Sequence, residues 1–160
     1  MLIDISKLLN GNELNLEVNE KVEISEEQLK DTEIISLKDT YVKGYITMDD
    51  DRNFYLDLVL SGTMVLPCSI TLEPVDYDFN TEIQGVYTEM MKEIENFDKK
   101  VENTLDIFPI IWENILMEIP IKVTCPEATN LKMSGDGWKL VTEEDLEKTT
   151  SAFDKLKDLL

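Results

Sequence analysis

The sequence predicts an α+β fold: a curved antiparallel β-sheet, or a small barrel-like sheet, packed with one main helix and peripheral helices. The strongest observation is a period of two, because ten consecutive even-numbered positions from Phe54 to Leu72 carry no charge. Nine of these ten residues are apolar, and the tenth is Gly62. A second observation is the helical spacing of apolar residues between Ile110 and Leu116. The alternation indicates strands with one buried face, and the helical spacing indicates a helix that covers a core.

Length and composition favour a single domain spanning residues 1–160. A chain of 160 residues can bury one sizeable core, and its hydrophobic content of 42% is ordinary for a globular protein. The first residues lack the basic head and long apolar body of a secretion signal, and no apolar run reaches the length of a membrane span. The predicted location is therefore the cytoplasm, without membrane contact.

The charge of the chain is strongly negative. The formal net charge is −19, from 34 acidic and 15 basic residues, and no Lys or Arg occurs from Asn53 to Met91. Such a chain repels phosphate and attracts basic partners, so neither DNA binding nor tight autonomous RNA binding is predicted. Two interpretations stay open: a surface that serves solubility, or an acidic face that meets a basic partner such as a ribosomal protein.

The side-chain inventory excludes several kinds of active site. The chain has no histidine, which rules out a serine triad or a histidine-paired thiolate. Cys68 and Cys125 are predicted to be thiols rather than a disulfide, with Cys68 acting as a small buried hydrophobe. Carboxylate pairs such as Asp76 with Asp78 keep a magnesium-dependent nuclease as an alternative. The sequence predicts no enzyme, no cofactor and no metal.

Residues 1–30 are predicted to form an N-terminal segment of short elements. Its first apolar residues indicate a short amphipathic element, and the alternation from Leu14 to Val18 indicates a strand. Ser25 followed by Gln28 matches a capping box, which predicts a helical turn after Ser25.

Residues 33–80 are predicted to be the β-rich centre. The strand from Tyr41 to Met48 contains Gly44, which indicates a bulge or a close backbone approach. The acidic segment 49–53 is predicted to be a hairpin turn; it matches the first ligands of a calcium loop but lacks that loop's glycine and terminal glutamate.

The long alternating stretch is predicted to contain a bend. Ser61 and Gly62 are expected to divide it into two strands, and a further strand follows Pro74. Beyond that strand, the segment from Tyr87 to Phe97 is predicted to be a helix, with a mobile acidic excursion as the alternative.

The clearest helix is predicted within residues 104–120. Asp106 favours its start, Pro109 suits its first turn, and Pro120 follows its end. Residues 121–125 are expected to form a strand that closes the sheet. Residues 130–160 are expected to be a peripheral tail with a flexible turn and a terminal amphipathic helix.

The segment from Gly62 to Pro74 resembles the signature of the YceD family, also called large ribosomal RNA subunit accumulation proteins. It reads Gly-Thr-Met-Val-Leu-Pro-Cys-Ser, then Thr-Leu-Glu-Pro after one residue. Val42-Lys43-Gly44 looks like the family's entry hairpin, and the helix within 104–120 looks like its aspartate–glutamate–leucine–proline helix. The tail is similar to that of the low-GC Gram-positive branch.

The resemblance implies a non-catalytic factor in bacterial large-subunit biogenesis. Such a factor would promote 23S rRNA accumulation or processing by binding a basic ribosomal protein or a large-subunit assembly intermediate. RNA contact would be indirect or would use a local patch, drawn from Lys38, Lys43, Lys92, Lys99 and Lys100. An acidic adaptor protein without a ribosomal link is the alternative.

The resemblance also implies two groups of site residues. The predicted partner-binding residues are Ser69, Thr71, Glu73 and Glu113. The predicted structural residues are Gly44, Gly62, Pro67, Cys68, Leu72, Pro74, Asp106 and Pro120. Within the signature, alternate residues from Leu66 to Leu72 are expected to fill the core, and the two prolines to bound an edge strand. Many relatives carry a cysteine cluster after the last strand, whereas Cys125 stands alone in its segment, so zinc binding is not expected.

Overall fold

The structure is a computed structural model that describes residues 1–94, 103–126 and 134–139. The chain divides into two compact units, Met1–Val123 and Thr124–Leu160. The elements of the first unit are β1 (Leu2–Asp4), α1 (Ser6–Leu9), β2 (Asn15–Lys21), α2 (Glu26–Leu29), β3 (Ser36–Met48), β4 (Phe54–Pro67), β5 (Pro74–Val86), α3 (Tyr87–Glu93), β6 (Thr104–Asp106) and α4 (Phe108–Met117). The second unit contains a small hairpin of β7 (Ser134–Gly135) and β8 (Trp138–Lys139).

The predicted α+β class is confirmed, with an open sheet rather than a barrel. Strands β2, β3, β4 and β5 form an antiparallel sheet in that order, so β2 and β5 are its edges. The prediction that residues 121–125 form a closing strand is wrong. Pro120 and Pro126 flank this segment and lack backbone donors, and the Val123 carbonyl accepts a hydrogen bond from Ser69 N at 2.8 Å.

The predicted period of two is confirmed in β4, the strand that contributes most to the core. Its inner residues are at most 2% exposed and comprise Leu56, Leu58, Leu60, Met64 and Leu66. They pack with residues of α4 that are equally buried, namely Ile110, Ile111 and Ile115. The side of β4 away from this core carries Tyr55, Asp57 and Val59, which are exposed.

The prediction that Ser61 and Gly62 break the strand is wrong. Ser61 pairs with Tyr41 on one side, and Gly62 pairs with Phe79 on the other, so β4 continues through both. The irregularity lies in β3, where the register shifts between Lys38 and Tyr41. A Cβ atom on Gly62 would lie 2.7 Å from the Oγ1 atom of the buried Thr40, so glycine gives the bulge its room.

Gly44 makes the close backbone approach that the sequence predicts. Its φ is +149°, and a Cβ atom there would overlap the Asp57 carbonyl oxygen of the neighbouring strand. The predicted turn over residues 49–53 is also confirmed, because Asp49 N donates to Asn53 O at 3.0 Å. Both features fix the β3–β4 hairpin.

The helix starts are confirmed in part. In α2, Gln28 Oε1 accepts hydrogen bonds from Ser25 N at 2.9 Å and Ser25 Oγ at 3.0 Å, as the capping pattern predicts. Pro109 lies in the first turn of α4, as predicted. Residues 104–106 are not helical but form β6, because they pair with β1 at the other end of the chain.

Helix α3 confirms the first part of the predicted helix after Tyr87, and the part up to Phe97 lies outside the described residues. The predicted terminal helix also lies outside them. Residues 134–139 form the hairpin β7–β8 around the predicted turn.

Gly44→Ala is expected to destabilise the protein by on the order of 3 kcal/mol or more, because the methyl group meets backbone atoms that cannot move independently. The matched control is Gly11→Ala, since Gly11 also has positive φ (+68°) but open space around its Cβ position. That control should cost only about 1 kcal/mol. Urea unfolding of both variants measures the difference, and equal losses would contradict the account of the hairpin.

Candidate functional site

A tight loop of residues 68–73 joins β4 to β5 and contains the second part of the predicted signature. Cys68 N donates to Glu73 O at 2.8 Å, and Leu72 N donates to Cys68 O at 2.9 Å. Pro67 and Pro74 pair at the last register position of the two strands and frame the loop. Pro74 starts edge strand β5, whereas Pro67 ends the interior strand β4, so the predicted edge position holds for Pro74 alone.

The core prediction for this segment is correct at its start and wrong at its end. Leu66 and Cys68 are buried, and Ile70 is half-buried. Leu72 is 76% exposed and has a φ of +62°. Because the strand ends at Pro67 and the chain then turns, alternation in the sequence no longer assigns residues to a face.

Three of the four predicted partner-binding residues lie together in this loop. Ser69 Oγ accepts a hydrogen bond from Val123 N at 3.2 Å, and Thr71 Oγ1 lies 3.4 Å from Glu73 Oε2. Ser69 and Glu73 are exposed. Glu113 is exposed on a different element, α4. The loop therefore presents one carboxylate beside an exposed apolar side chain.

Asp106 accepts hydrogen bonds that join several elements, and Pro120 follows a helix. Asp106 Oδ1 accepts hydrogen bonds from the Met1 ammonium at 2.8 Å and from Phe108 N at 3.2 Å. The Tyr87 hydroxyl donates to the Asp106 carbonyl at 3.3 Å, and burial raises the pKa of Tyr87. Asp106 thus connects β1, β6 and the start of α4. Pro120 lies just after the end of α4.

The stretch without cations folds into adjacent strands. The segment from Asn53 to Met91 supplies β4, β5 and part of α3. The outer face of the β4–β5 pair carries four exposed carboxylates, here called the acidic hairpin face: Asp57, Asp76, Asp78 and Glu82. The sequence identifies Asp76 with Asp78 as a carboxylate pair, and the strand register places Asp57 and Glu82 on the same surface.

Hydrogen bonds hold three of these carboxylates in place. Thr63 Oγ1 donates to Asp78 at 2.6 Å, and Gln84 Nε2 donates to Asp57 at 3.0 Å. Lys38 Nζ contacts both oxygens of Asp76, at 2.8 and 3.0 Å. This pair is half-exposed on both sides, so solvent screening leaves it a small contribution to stability.

Aromatic side chains share this face of the sheet, and the sequence analysis missed them. Tyr41, Tyr45 and Tyr55 are exposed by 37%, 48% and 51%, and Val59 lies among them. Lys43 Nζ lies 5.7 Å from the centre of the Tyr41 ring. The available signal is the odd-numbered half of the alternating pattern in β4, which includes Tyr55 and Val59.

The lysines predicted as an RNA patch are partly engaged. Lys38 pairs with Asp76 and Lys43 lies over Tyr41, while Lys92 is exposed on α3. Lys99 and Lys100 lie outside the described residues. RNA contact through these lysines stays a prediction.

The remaining polar groups with shifted pKa values are local and exposed. Hydrogen bonds from Ser6 lower the pKa of Asp4, and those from Asn53 lower the pKa of Asp49. An ion pair with Glu13 raises the pKa of Lys7. Across residues 1–94, 103–126 and 134–139, no three His, Cys, Asp or Glu side chains are grouped to hold a metal. Cys68 and Cys125 are both buried, and neither forms a disulfide.

A helix that crosses a bilayer must be both long and apolar. Within the described ranges, none is long and apolar enough to cross a membrane.

Comparison with known proteins points to one family. The family described as "Large ribosomal RNA subunit accumulation protein YceD" matches residues 56–160. A relative from Bacillus subtilis (strain 168), named "Uncharacterized protein YlbN", is 31% identical over 137 residues, which cover 82% of this chain and 79% of the relative. No solved structure matches the chain at a significant level.

Two predicted site residues, Asp106 and Glu113, allow a structural role to be compared with a surface role. Asp106→Ala should destabilise the protein by about 1.5–3 kcal/mol, because two donors, one of them charged, lose a half-buried acceptor. Glu113→Ala, on the exposed side of α4, should change stability by less than about 0.5 kcal/mol. Urea unfolding compares the two variants, and similar losses would contradict the role assigned to Asp106.

Proposed function

The chain belongs to the YceD family of large ribosomal RNA subunit accumulation proteins, and on that premise we propose that it is a non-catalytic factor in large ribosomal subunit biogenesis. In this role it promotes 23S rRNA accumulation or processing by binding a basic ribosomal protein or a large-subunit assembly intermediate. The family match over residues 56–160 supports the biological process. The role implies a cytoplasmic location, where bacterial subunits assemble.

The observation that carries the proposed mechanism is the acidic hairpin face. Its four carboxylates lie on two paired strands that contribute no Lys or Arg, within a chain of net charge −19. Complementary charge accelerates the encounter with a basic protein and disfavours partners of the wrong sign. A basic tail held on this face is shielded from premature contact with RNA.

The same electrostatics favour protein over RNA as the direct partner. Phosphate groups approaching Asp57, Asp78 or Glu82 meet like charge, and among the described lysines Lys38 pairs with Asp76. RNA in the bound particle is therefore contacted through the ribosomal protein, or through a patch away from this face. The effect on 23S rRNA then follows from protecting an assembly step rather than from cleaving RNA.

The central test is capture of the tagged protein from cells, with bound protein and RNA identified. The wild type should co-sediment with immature large subunits at low salt and be released as salt rises, because exposed ion pairs are screened. The triple variant Asp76→Asn, Asp78→Asn and Glu82→Gln should bind about tenfold more weakly or worse, which corresponds to about 1.4 kcal/mol.

The matched control removes the same number of exposed charges elsewhere. Glu33→Gln, Asp50→Asn and Asp51→Asn lie in other loops and should leave binding within about twofold. Equal loss in both triple variants would show that only net charge matters. Absence from every ribosomal fraction, with normal large-subunit rRNA after depletion, would overturn the proposed process and favour an adaptor without a ribosomal link. Magnesium-dependent cleavage of rRNA by the pure protein would overturn the non-catalytic role.

A further inference from the structure

Three side chains form a row across the outer face of the sheet. The register pairs Glu17 of β2 with Tyr45 of β3, and Tyr45 with Asp57 of β4. All three residues are exposed, on the side opposite the core. Directly paired residues have Cβ atoms about 4.5–5.5 Å apart. The Tyr45 ring therefore has a carboxylate on each side, and these three residues are here called the tyrosine row.

We propose that the tyrosine row binds an arginine side chain from an extended basic segment of a partner protein. A guanidinium group can stack on a tyrosine ring while its N–H groups donate to neighbouring carboxylates. Glu17 and Asp57 offer such acceptors on opposite sides of one ring. The inference deepens the proposed function and rests on it for the basic character of the partner.

The same face already contains one contact between a cation and a tyrosine. Lys43 Nζ lies 5.7 Å from the centre of the Tyr41 ring. Lys43 is two residues from Tyr45 on the same strand, β3. Rings on this face are thus accessible to cations from above. Lys43 of this chain covers the Tyr41 ring. Tyr45 instead has Glu17 and Asp57 beside it, and in the proposed complex its ring receives an arginine from the partner.

Asp57 is positioned to accept a further hydrogen bond. Its Oδ1 atom accepts from Gln84 Nε2 at 3.0 Å, which fixes the carboxylate at the β4–β5 pair. A carboxylate can accept several hydrogen bonds, so Oδ2 can receive one from a guanidinium. Because the hydrogen bond from Gln84 already restricts the Asp57 side chain, the side chain loses less conformational entropy when an arginine binds.

Apolar side chains extend the site beyond the row. Tyr55 is the diagonal neighbour of Tyr45 across β3 and β4, and Val59 is paired with Lys43 on the same face. Both are exposed, and they offer contact area to the residues that flank the arginine. The surface thus places exposed aromatic and apolar side chains, of which the aromatic ones are enriched in protein interfaces, beside the two carboxylates.

Exposed aromatics on a sheet can also stack nucleic-acid bases, so RNA is the competing ligand. The backbone of a stacked strand would carry its phosphates past Glu17, Asp57 and Glu82. This repulsion is absent for an arginine-containing peptide, which is attracted by the same groups. The charges therefore favour the peptide.

The test uses the full chain and two synthetic unstructured peptides of equal length and charge, with arginine or lysine at alternate positions. Titration calorimetry at low salt should give about tenfold tighter binding of the arginine peptide. The lysine ammonium lacks the planar guanidinium that stacks on the Tyr45 ring and donates several hydrogen bonds to the carboxylates. Tyr45→Thr should abolish this preference while keeping a residue suited to a strand. Asp57→Asn and Glu17→Gln should each reduce it.

Asp50→Asn is the control, because it removes one exposed charge from the β3–β4 turn and should retain the preference. Thermal unfolding confirms that each variant is folded before its binding is interpreted. Equal affinity of the wild type for both peptides, or an unchanged preference in folded Tyr45→Thr, would overturn the inference. Tighter binding of a single-stranded oligonucleotide than of either peptide would also overturn it, in favour of RNA.

These outcomes are separable from failure of the proposed function. Suppose that the wild type and folded Tyr45→Thr capture immature large subunits equally, and that the wild type shows no arginine preference in the peptide assay. The arginine-binding role of the tyrosine row is then wrong, and the proposed function stands. If the arginine preference is present but no ribosomal fraction contains the protein, the arginine-binding role of the tyrosine row is correct and the ribosomal role is wrong.

Discussion

The fold of the unit Met1–Val123 depends on burial of one face of β4. This strand is paired on both sides, and its inner residues from Leu56 to Leu66 form the centre of the core with α4. A shift of one residue in its register would turn every one of these side chains toward water. At about 25 cal/mol per Å² of buried apolar surface, such a shift is far more costly than any rearrangement of exposed side chains. Burial therefore fixes the register, and the register decides which side chains meet on the other face.

The outer face follows from this constraint. Once the even-numbered residues of β4 are committed to the core, the odd-numbered residues are free to be polar, aromatic or charged. These outer positions include Asp57 of β4 and the exposed tyrosines of β3. The register pairs odd-numbered residues of β4 with even-numbered residues of β5, so Asp76, Asp78 and Glu82 lie on the same face. A net charge of −19 works against compaction, since like charges repel. The apolar interior offsets that repulsion, and the sheet can present a concentrated negative surface on a stable support.

The sequence predicted features that depend on near neighbours. The period of two, the cap formed by Ser25 and Gln28, and Pro109 in the first turn of α4 all belong to this group. Two of the errors concern distant partners. Residues 104–106 form a strand because β1 pairs with them, and Gly62 serves a bulge in β3 rather than a turn of its own.

The candidate site shows the same division. The resemblance implies Ser69, Thr71, Glu73 and Glu113 as partner-binding residues. The first three lie in one loop because they are close in the chain, whereas Glu113 lies on another element. The tyrosine row could not be read from the sequence, because Glu17, Tyr45 and Asp57 meet only through the registers of two strand pairs.

The most direct measurement of the central claim is zero-length cross-linking of carboxylates to lysines in the complex with immature large subunits, followed by mass spectrometry. Our account predicts cross-links from Asp57, Asp76, Asp78 or Glu82 to lysines of a ribosomal protein, since we propose that these exposed carboxylates form the binding face. Cross-links confined to carboxylates elsewhere, such as those of the turn at residues 49–53, would contradict it.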